Sequence, residues 1–144
     1  MTTSPLVFLG NSPPKTWDIV WTRYPLDERP ELPAPKSRPA LVTAVYQIDR
    51  REVWLRVMYG TSRNWIVRQK QGGKFTLRKR EDLFTAGLVD PTAFVLRRQI
   101  ELPWTADFLG TWTRKDGTTL GPVLGRVPRK KLPALKRALA PLAS

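Results

Sequence analysis

Five prolines fall between residues 25 and 39 (Pro25, Pro30, Pro33, Pro35 and Pro39), interleaved with Asp27, Glu28, Arg29, Glu31 and Lys36. Proline lacks an amide donor and fixes φ at about −65°, so this segment is neither helix nor inner strand. It is expected as a long, stiffened loop. On both sides of it the apolar residues come in strand-sized runs. Trp17-Asp18-Ile19-Val20-Trp21-Thr22-Arg23-Tyr24 precedes it, rich in aromatic and β-branched residues, and reads as a first strand. Residues 39–46 form an apolar run suited to a buried strand. Asp49-Arg50-Arg51 reads as a turn, with residues 53–59 as the hairpin partner.

Further along, Gly60-Thr61-Ser62-Arg63-Asn64 ends that strand with loop chemistry. Residues 65–67 and 74–77 bracket Gly72-Gly73 as a further hairpin. Residues 81–86 read as one helical turn closed by Gly87. Residues 94–102 alternate as a strand, with Val95, Arg97 and Gln99 on one face and Phe94, Leu96, Arg98 and Ile100 on the other. Residues 110–121 read as a polar loop. Near the C-terminus Leu132, Leu135, Leu139 and Leu142 recur at helical spacing, with Lys136 and Arg137 on the outer side. Six or seven short strands followed by one helix predict a mainly β fold: a small antiparallel β-barrel with a C-terminal α-helix. Residues 1–16 are expected as a loose arm, and 17–144 as a single domain. A chain of 144 residues is long enough to hold one core without staples.

Cys and His are both absent. That excludes disulfides, thiolate and His-based zinc sites, iron–sulfur clusters, Cys nucleophiles and every mechanism that turns on an imidazole. No metal and no cofactor is expected. The N-terminal residues lack the charged and apolar parts of a signal peptide, and no apolar run approaches the ~20 residues of a membrane helix. A cytoplasmic protein without membrane contact is the expectation.

The chain carries 25 Lys+Arg against 12 Asp+Glu, a net charge of +13. Such an excess favours a polyanionic partner, most commonly nucleic acid. The charge is uneven: residues 63–80 hold seven basic residues and no acid, and residues 113–144 hold eight against one. Both blocks flank expected loop or helix surface, where Lys and Arg reach phosphates. Aromatic residues among arginines, as in Arg63-Asn64-Trp65, can stack unpaired bases. Of the six tryptophans, Trp17, Trp21 and Trp54 lie in strand patterns and read as core or dimer-interface residues. Trp65 is open between base stacking and core.

One constellation links two strand ends. Lys36-Ser37-Arg38-Pro39-Ala40-Leu41-Val42 begins one expected strand, and Val57-Met58-Tyr59-Gly60-Thr61-Ser62-Arg63 ends its neighbour. On adjacent antiparallel strands the start of one lies beside the end of the other, so Arg38 and Thr61 are expected as neighbours. A fixed guanidinium beside hydroxyls and loop N–H groups suits one phosphate, because the planar fork bonds two oxygens at once. An arginine before a strand is also compatible with a plain solvated residue.

In order and spacing, Trp17-Asp18-Ile19-Val20-Trp21, then Lys36 to Val42, then Gly60-Thr61-Ser62 resemble the MazF/PemK family of toxin–antitoxin endoribonucleases. That family opens with a Gly-Asp-Ile-Val-Trp-like strand, has an Arg-Pro-Ala-Leu-Val strand start, and ends in a leucine-patterned helix. Gly87-Leu88 through Pro91-Thr92, with Leu102-Pro103-Trp104, resembles its long PemK-like subgroup. The similarity spans residues 16–142. Trp17 stands where the family's glycine would be, and the segments around 78–92 and 105–121 are longer than in the short toxins.

The resemblance implies an SH3-like barrel, a homodimer, and metal-independent cleavage of single-stranded RNA. It makes Arg38 and Thr61 the catalytic pair, with Glu31 and Glu28 as candidates for the base. Lys36, Ser62, Arg63, Trp65, Arg68, Lys70 and Lys74 are the RNA-binding candidates. An acidic antitoxin protein is the implied partner. Two other readings stand beside it: a non-catalytic basic barrel binding nucleic acid in a phage or chromosome-associated complex, and a dimerising adaptor whose basic loops hold an acidic protein segment.

Overall fold

A computed structural model of the chain describes residues 13–23, 37–62 and 74–142. The elements are β1 (Asp18–Thr22), β2 (Arg38–Asp49), β3 (Glu52–Thr61), β4 (Lys74–Leu77), α1 (Arg80–Ala86), β5 (Thr92–Pro103), β6 (Trp112–Thr113), β7 (Thr119–Leu120), β8 (Val123–Arg126) and α2 (Leu132–Leu139). Short 3-10 turns at Arg129–Lys131 and Ala140–Leu142 flank α2. The protein is mainly β with a C-terminal helix, as the sequence pattern predicts.

Six strands pair antiparallel in the order β4-β5-β3-β2-β1-β8, and β6 with β7 forms a separate hairpin. Among the described residues the two end strands do not pair with each other. Instead α1 packs on β8 and α2 on β4, so helices cover the gap that a closed barrel would fill with hydrogen bonds. The β2–β3 hairpin turns through Arg50 and Arg51, where Asp49 Oδ1 accepts the Arg51 amide at 2.7 Å. An aspartate side chain at that position imitates a backbone turn.

Both sides of the sheet are packed. Ile19, Leu41, Met58, Phe75, Leu77, Phe94 and Leu96 face Leu83 and Ala86 of α1 and Leu135 of α2. Val20, Ala40, Val42, Val53, Leu55 and Val57 face Leu102, Trp104, Phe108 and Leu109. Successive residues of β1, β3 and β2 as far as Val42 thus fall into alternate clusters, the period of two that a strand imposes, and a bulge after Val42 returns Val45 to the second cluster. In α2 Leu135 is fully buried and Leu132 and Leu139 partly so, while Lys136 and Arg137 are exposed. Trp21 stacks on Trp112 with ring centroids 5.2 Å apart. Trp54 is half-buried and donates Nε1–H to Glu52 Oε2 at 2.7 Å.

The structure corrects three sequence expectations. Strand β5 does not alternate uniformly: Phe94 and Leu96 enter the first cluster, whereas Ile100 and Leu102 pack against the second. Gly60 pairs with Phe94 but Met58 with Gln99, so β5 carries three extra residues there and its later even positions change side. Residues 110–121 are not simply a loop, because they hold the β6–β7 hairpin. Of the expected loose arm, residues 13–16 are tied down: Pro14 is buried, and the Lys15 amide donates to Asp18 Oδ2 at 2.8 Å. The proline-rich segment 24–36 and the first arm of the hairpin expected around Gly72-Gly73 lie outside the described residues.

Two glycines let α1 lie against β8. Gly87 ends the helix at φ 72°, and a Cβ there would stand 2.1 Å from the Leu124 carbonyl oxygen. A Cβ on Gly125 would stand 2.4 Å from the Thr85 oxygen. Backbone meets backbone at both points, and only glycine permits it.

Candidate functional site

Pro39 restricts the residue before it to extended backbone, so Arg38 begins β2 rather than trailing from a loop. Thr22 of β1 pairs with Arg38, and the Thr22 hydroxyl donates to the Arg38 carbonyl at 3.1 Å. Thr22 is fully buried, so that bond fixes the strand start from beneath. On the other edge of β2, Ala40 pairs with Tyr59. Continuing that register by two residues sets Arg38 opposite Thr61, the last residue of β3. Thr61 in turn pairs with Ala93, and Ala93 with Thr76.

Thr22, Arg38, Thr61, Ala93 and Thr76 therefore form one row across five strands. Alternation puts the row on the side of the second cluster, because Val20, Ala40, Val42 and Val57 belong to it. The row is hydroxyl-rich with a single cation. Arg38 and Thr61 are half-buried, and Ser62 beyond them is exposed. Thr76 Oγ1 is buried without a hydrogen-bond partner among the described residues. Lys74 lies two residues along β4 from Thr76, on the same side.

The Arg38 guanidinium sits over the Tyr59 ring, 5.2 Å from its centroid. Tyr59 itself packs against the second cluster, so the ring is held by the core and in turn holds the cation. Cation–π contact of this kind is worth about 0.5–1 kcal/mol at a partly exposed site. Its larger effect is orientation, since it restricts a long side chain that would otherwise sweep through solvent.

The structure thus places Arg38 and Thr61 in one row, with Ser62 next to it and Lys74 near its far end. Glu31, Glu28, Lys36, Arg63, Trp65, Arg68 and Lys70 lie outside the described residues. Sequence reasoning missed two contributors. Tyr59 was detectable, since a residue two before Thr61 on a strand shares its side. Thr22 was detectable only with the β1–β2 register in hand.

A separate cleft of about 670 Å³ opens beside α1, between the Lys15–Asp18 turn and the 3-10 turn before α2. Lys130 Nζ lies 2.9 Å from Glu81 Oε1 and 3.4 Å from Asp82 Oδ1, and Lys131 Nζ lies 3.9 Å from Asp82 Oδ2. The hydrogen bond and charge of Lys130 hold the Glu81 carboxyl below its ordinary pKa, and Glu81 raises that of Lys130. The Asp82 side chain is almost fully buried. This cluster ties α1 to the C-terminal region and takes no part in the Arg38 row. Among the described residues no group of three acidic residues is placed to hold a metal ion, and no helix is long and apolar enough to cross a membrane. Compared with protein-family models, curated proteins and solved structures, the chain matches none.

Proposed function

We propose that the chain is a metal-independent endoribonuclease toxin of a toxin–antitoxin pair, acting on single-stranded RNA in the cytoplasm. One observation supports the reading: the Arg38 guanidinium is braced on Tyr59, and the Ala40–Tyr59 register, continued by two residues, sets Arg38 opposite Thr61, the two residues that the MazF/PemK resemblance makes the catalytic pair. In the proposed reaction the RNA 2′-oxygen attacks its own phosphorus and the bond to the 5′-oxygen breaks. The products are a 2′,3′-cyclic phosphate and a 5′-hydroxyl, with one proton lost from the 2′-oxygen and one gained by the leaving oxygen. Arg38 neutralises charge developing on the phosphorane, and Thr61 donates to a non-bridging oxygen. Arginine stays protonated, so proton removal falls to another group, for which Glu31 and Glu28 are the candidates.

The +13 charge supports a polyanionic substrate. An acidic antitoxin and a second copy of the chain complete the proposal. Incubating the purified protein with a mixed RNA, with and without EDTA, tests it. Fragments ending in cyclic phosphate in both samples support the reading. Binding without cleavage favours the non-catalytic nucleic-acid-binding alternative.

A further inference from the structure

Among the described residues the most exposed large apolar side chains are Phe84 (83%), Ile48 (59%) and Val89 (58%), and of these Phe84 and Val89 are neighbours. They stand together at a groove of about 310 Å³ whose inner wall is Leu83 and Leu88, both nearly buried at the margin of the first core cluster. Exposed apolar side chains continuous with a core edge mark a docking surface more than a solvated one. The remaining lining residues are Arg78, Arg80 and Arg114. Groove and rim thus combine an aliphatic floor with three guanidinium groups and no acid.

The local acids leave that rim positive: the Arg114 charge acts on Asp116, whose carboxylate is held first by the Thr118 amide. Glu81 and Asp82 of α1 are engaged by Lys130 and Lys131 at the separate cleft. Arg78 and Arg80 have no ion-pair partner among the described residues. The Arg114 guanidinium lies over the Trp112 ring at 5.5 Å, and its Nε is buried without a hydrogen-bond partner among the described residues. Two arginines without an ion-pair partner among the described residues, and a third with an unpaired Nε, around an apolar slot suit carboxylates flanking an apolar side chain.

We infer that the Phe84 groove docks an acidic protein segment that inserts one or two apolar side chains between its carboxylates. Leu83, Leu88 and Val89 favour this over a nucleic acid strand, since aliphatic walls offer a base neither an aromatic face beyond Phe84 nor hydrogen bonds to its edges. The groove is distinct from the Arg38 row, so the inference stands whether or not the protein cleaves RNA.

The probe is a short fluorescein-labelled peptide of Asp/Glu pairs alternating with Leu and Phe. Controls are the same peptide with Ser in place of Leu and Phe, and an oligouridylate. Saturable binding is expected, weakened about tenfold or more by Phe84→Ser, by Val89→Ser, and by Arg78→Ala with Arg80→Ala. The Ser control should bind poorly. Phe84→Ser should leave Tm unchanged, because the ring is exposed, and Val89→Ser provides the same readout from the loop after α1. Equal binding of the Ser control, or indifference to Phe84→Ser and Val89→Ser, overturns the inference. So does displacement by oligouridylate with the same dependence on Phe84, which makes the groove an RNA site. A Phe84→Ser variant that loses self-association in sedimentation assigns the groove to a second copy and overturns it too.

Discussion

The Arg38 guanidinium lies 5.2 Å from the centre of the Tyr59 ring, one strand away and diagonal to it across the β2–β3 ladder. The ring is anchored in the second core cluster, so a side chain at the sheet's end inherits the rigidity of the interior. Catalytic donors act through such preorganisation, because the cost of fixing them is met during folding. Arg38→Ala and Thr61→Ala should each lower RNA cleavage by about 10²-fold or more with the fold intact. Tyr59→Phe keeps the ring and should keep most of kcat, whereas Tyr59→Leu should reduce kcat more than it raises KM. Single-turnover cleavage with circular dichroism on each variant checks this. Full activity in a folded Arg38→Ala protein removes the residue from the site.

Trp17 has φ 79°, a left-handed conformation that a bulky side chain seldom adopts. It is held there from both sides: its amide donates to the Val42 carbonyl at 2.7 Å, and its carbonyl accepts the Val127 amide at 2.9 Å. The indole packs against the first core cluster, which offsets the backbone strain. Trp17→Ala loses the packing and keeps the strain. Trp17→Gly loses the same packing but relaxes the backbone, so it should be more stable than Trp17→Ala by about 1 kcal/mol. That order is the reverse of the one at an ordinary position. Urea melts of the two variants measure it directly.

Much of the sheet was legible because β1, β3 and β2 as far as Val42 alternate, and Arg50-Arg51 has turn chemistry on both sides; past Val42 a bulge returns Val45 to the side of Val42. The Arg38–Thr61 neighbourhood followed from antiparallel pairing alone. Strand β5 was legible as a strand but not in its facing: the three extra residues before Gln99 move Ile100 to the other side, and no residue type marks that shift. The second core cluster drew Trp104, Phe108 and Leu109 from a stretch without a period, where patterning gives no signal. The β6–β7 hairpin escaped notice because two-residue strands are too short to alternate.

The α1–β8 packing rests on Gly125, where an added Cβ would stand 2.4 Å from the Thr85 oxygen and 2.5 Å from the Ala86 carbonyl carbon. Neither atom can rotate away, so Gly125→Ala must push α1 off the sheet. Overpacking of this kind costs about 1–3 kcal/mol. Gly110→Ala is the matched control, since nothing lies within 4 Å of its added Cβ. Thermal melts should separate the two clearly. Equal Tm values mean that α1 is not seated on β8 through Gly125.

The Glu81–Lys130 pair gives stability a dependence on pH at both ends. Glu81 is depressed by the Lys130 hydrogen bond first and its charge second. Its contribution is present above the ordinary carboxylate pKa and is lost as pH falls through the lowered one. Lys130 is raised, chiefly by Glu81, so its contribution is present below the ordinary lysine pKa and is lost as pH rises through the raised one. Glu81→Gln should therefore flatten both limbs of a Tm-against-pH curve by lowering Tm slightly at neutrality, where both contributions are present, and leaving Tm at the two extremes unchanged. Replacing Lys130 and Lys131 together with Ala should do more, because it strands the buried Asp82 carboxylate. Asp82→Asn added to that double variant should recover part of the lost Tm. A double variant as stable as the parent shows that the two lysines do not compensate Asp82.

Residues 63–80 carry seven basic residues and no acid, of which Lys74 begins β4 on the same side as Thr76 of the Arg38 row. If the block tracks an RNA backbone, its contribution is counterion release, which is blind to base sequence. Arg68→Ala, Lys70→Ala and Lys74→Ala combined should weaken binding to all single strands alike. They should also flatten the plot of log affinity against log salt by about 0.7 for each phosphate no longer neutralised. Trp65→Ala should behave differently, since stacking on an aromatic ring is worth about 1–3 kcal/mol per base and is nearly independent of salt. It should lower affinity at constant slope. A Trp65 that packs inside the fold would show itself as a fall in Tm, so slope and Tm measured on both variants separate the roles. An unchanged slope in the triple variant means that these cations face solvent and not phosphate.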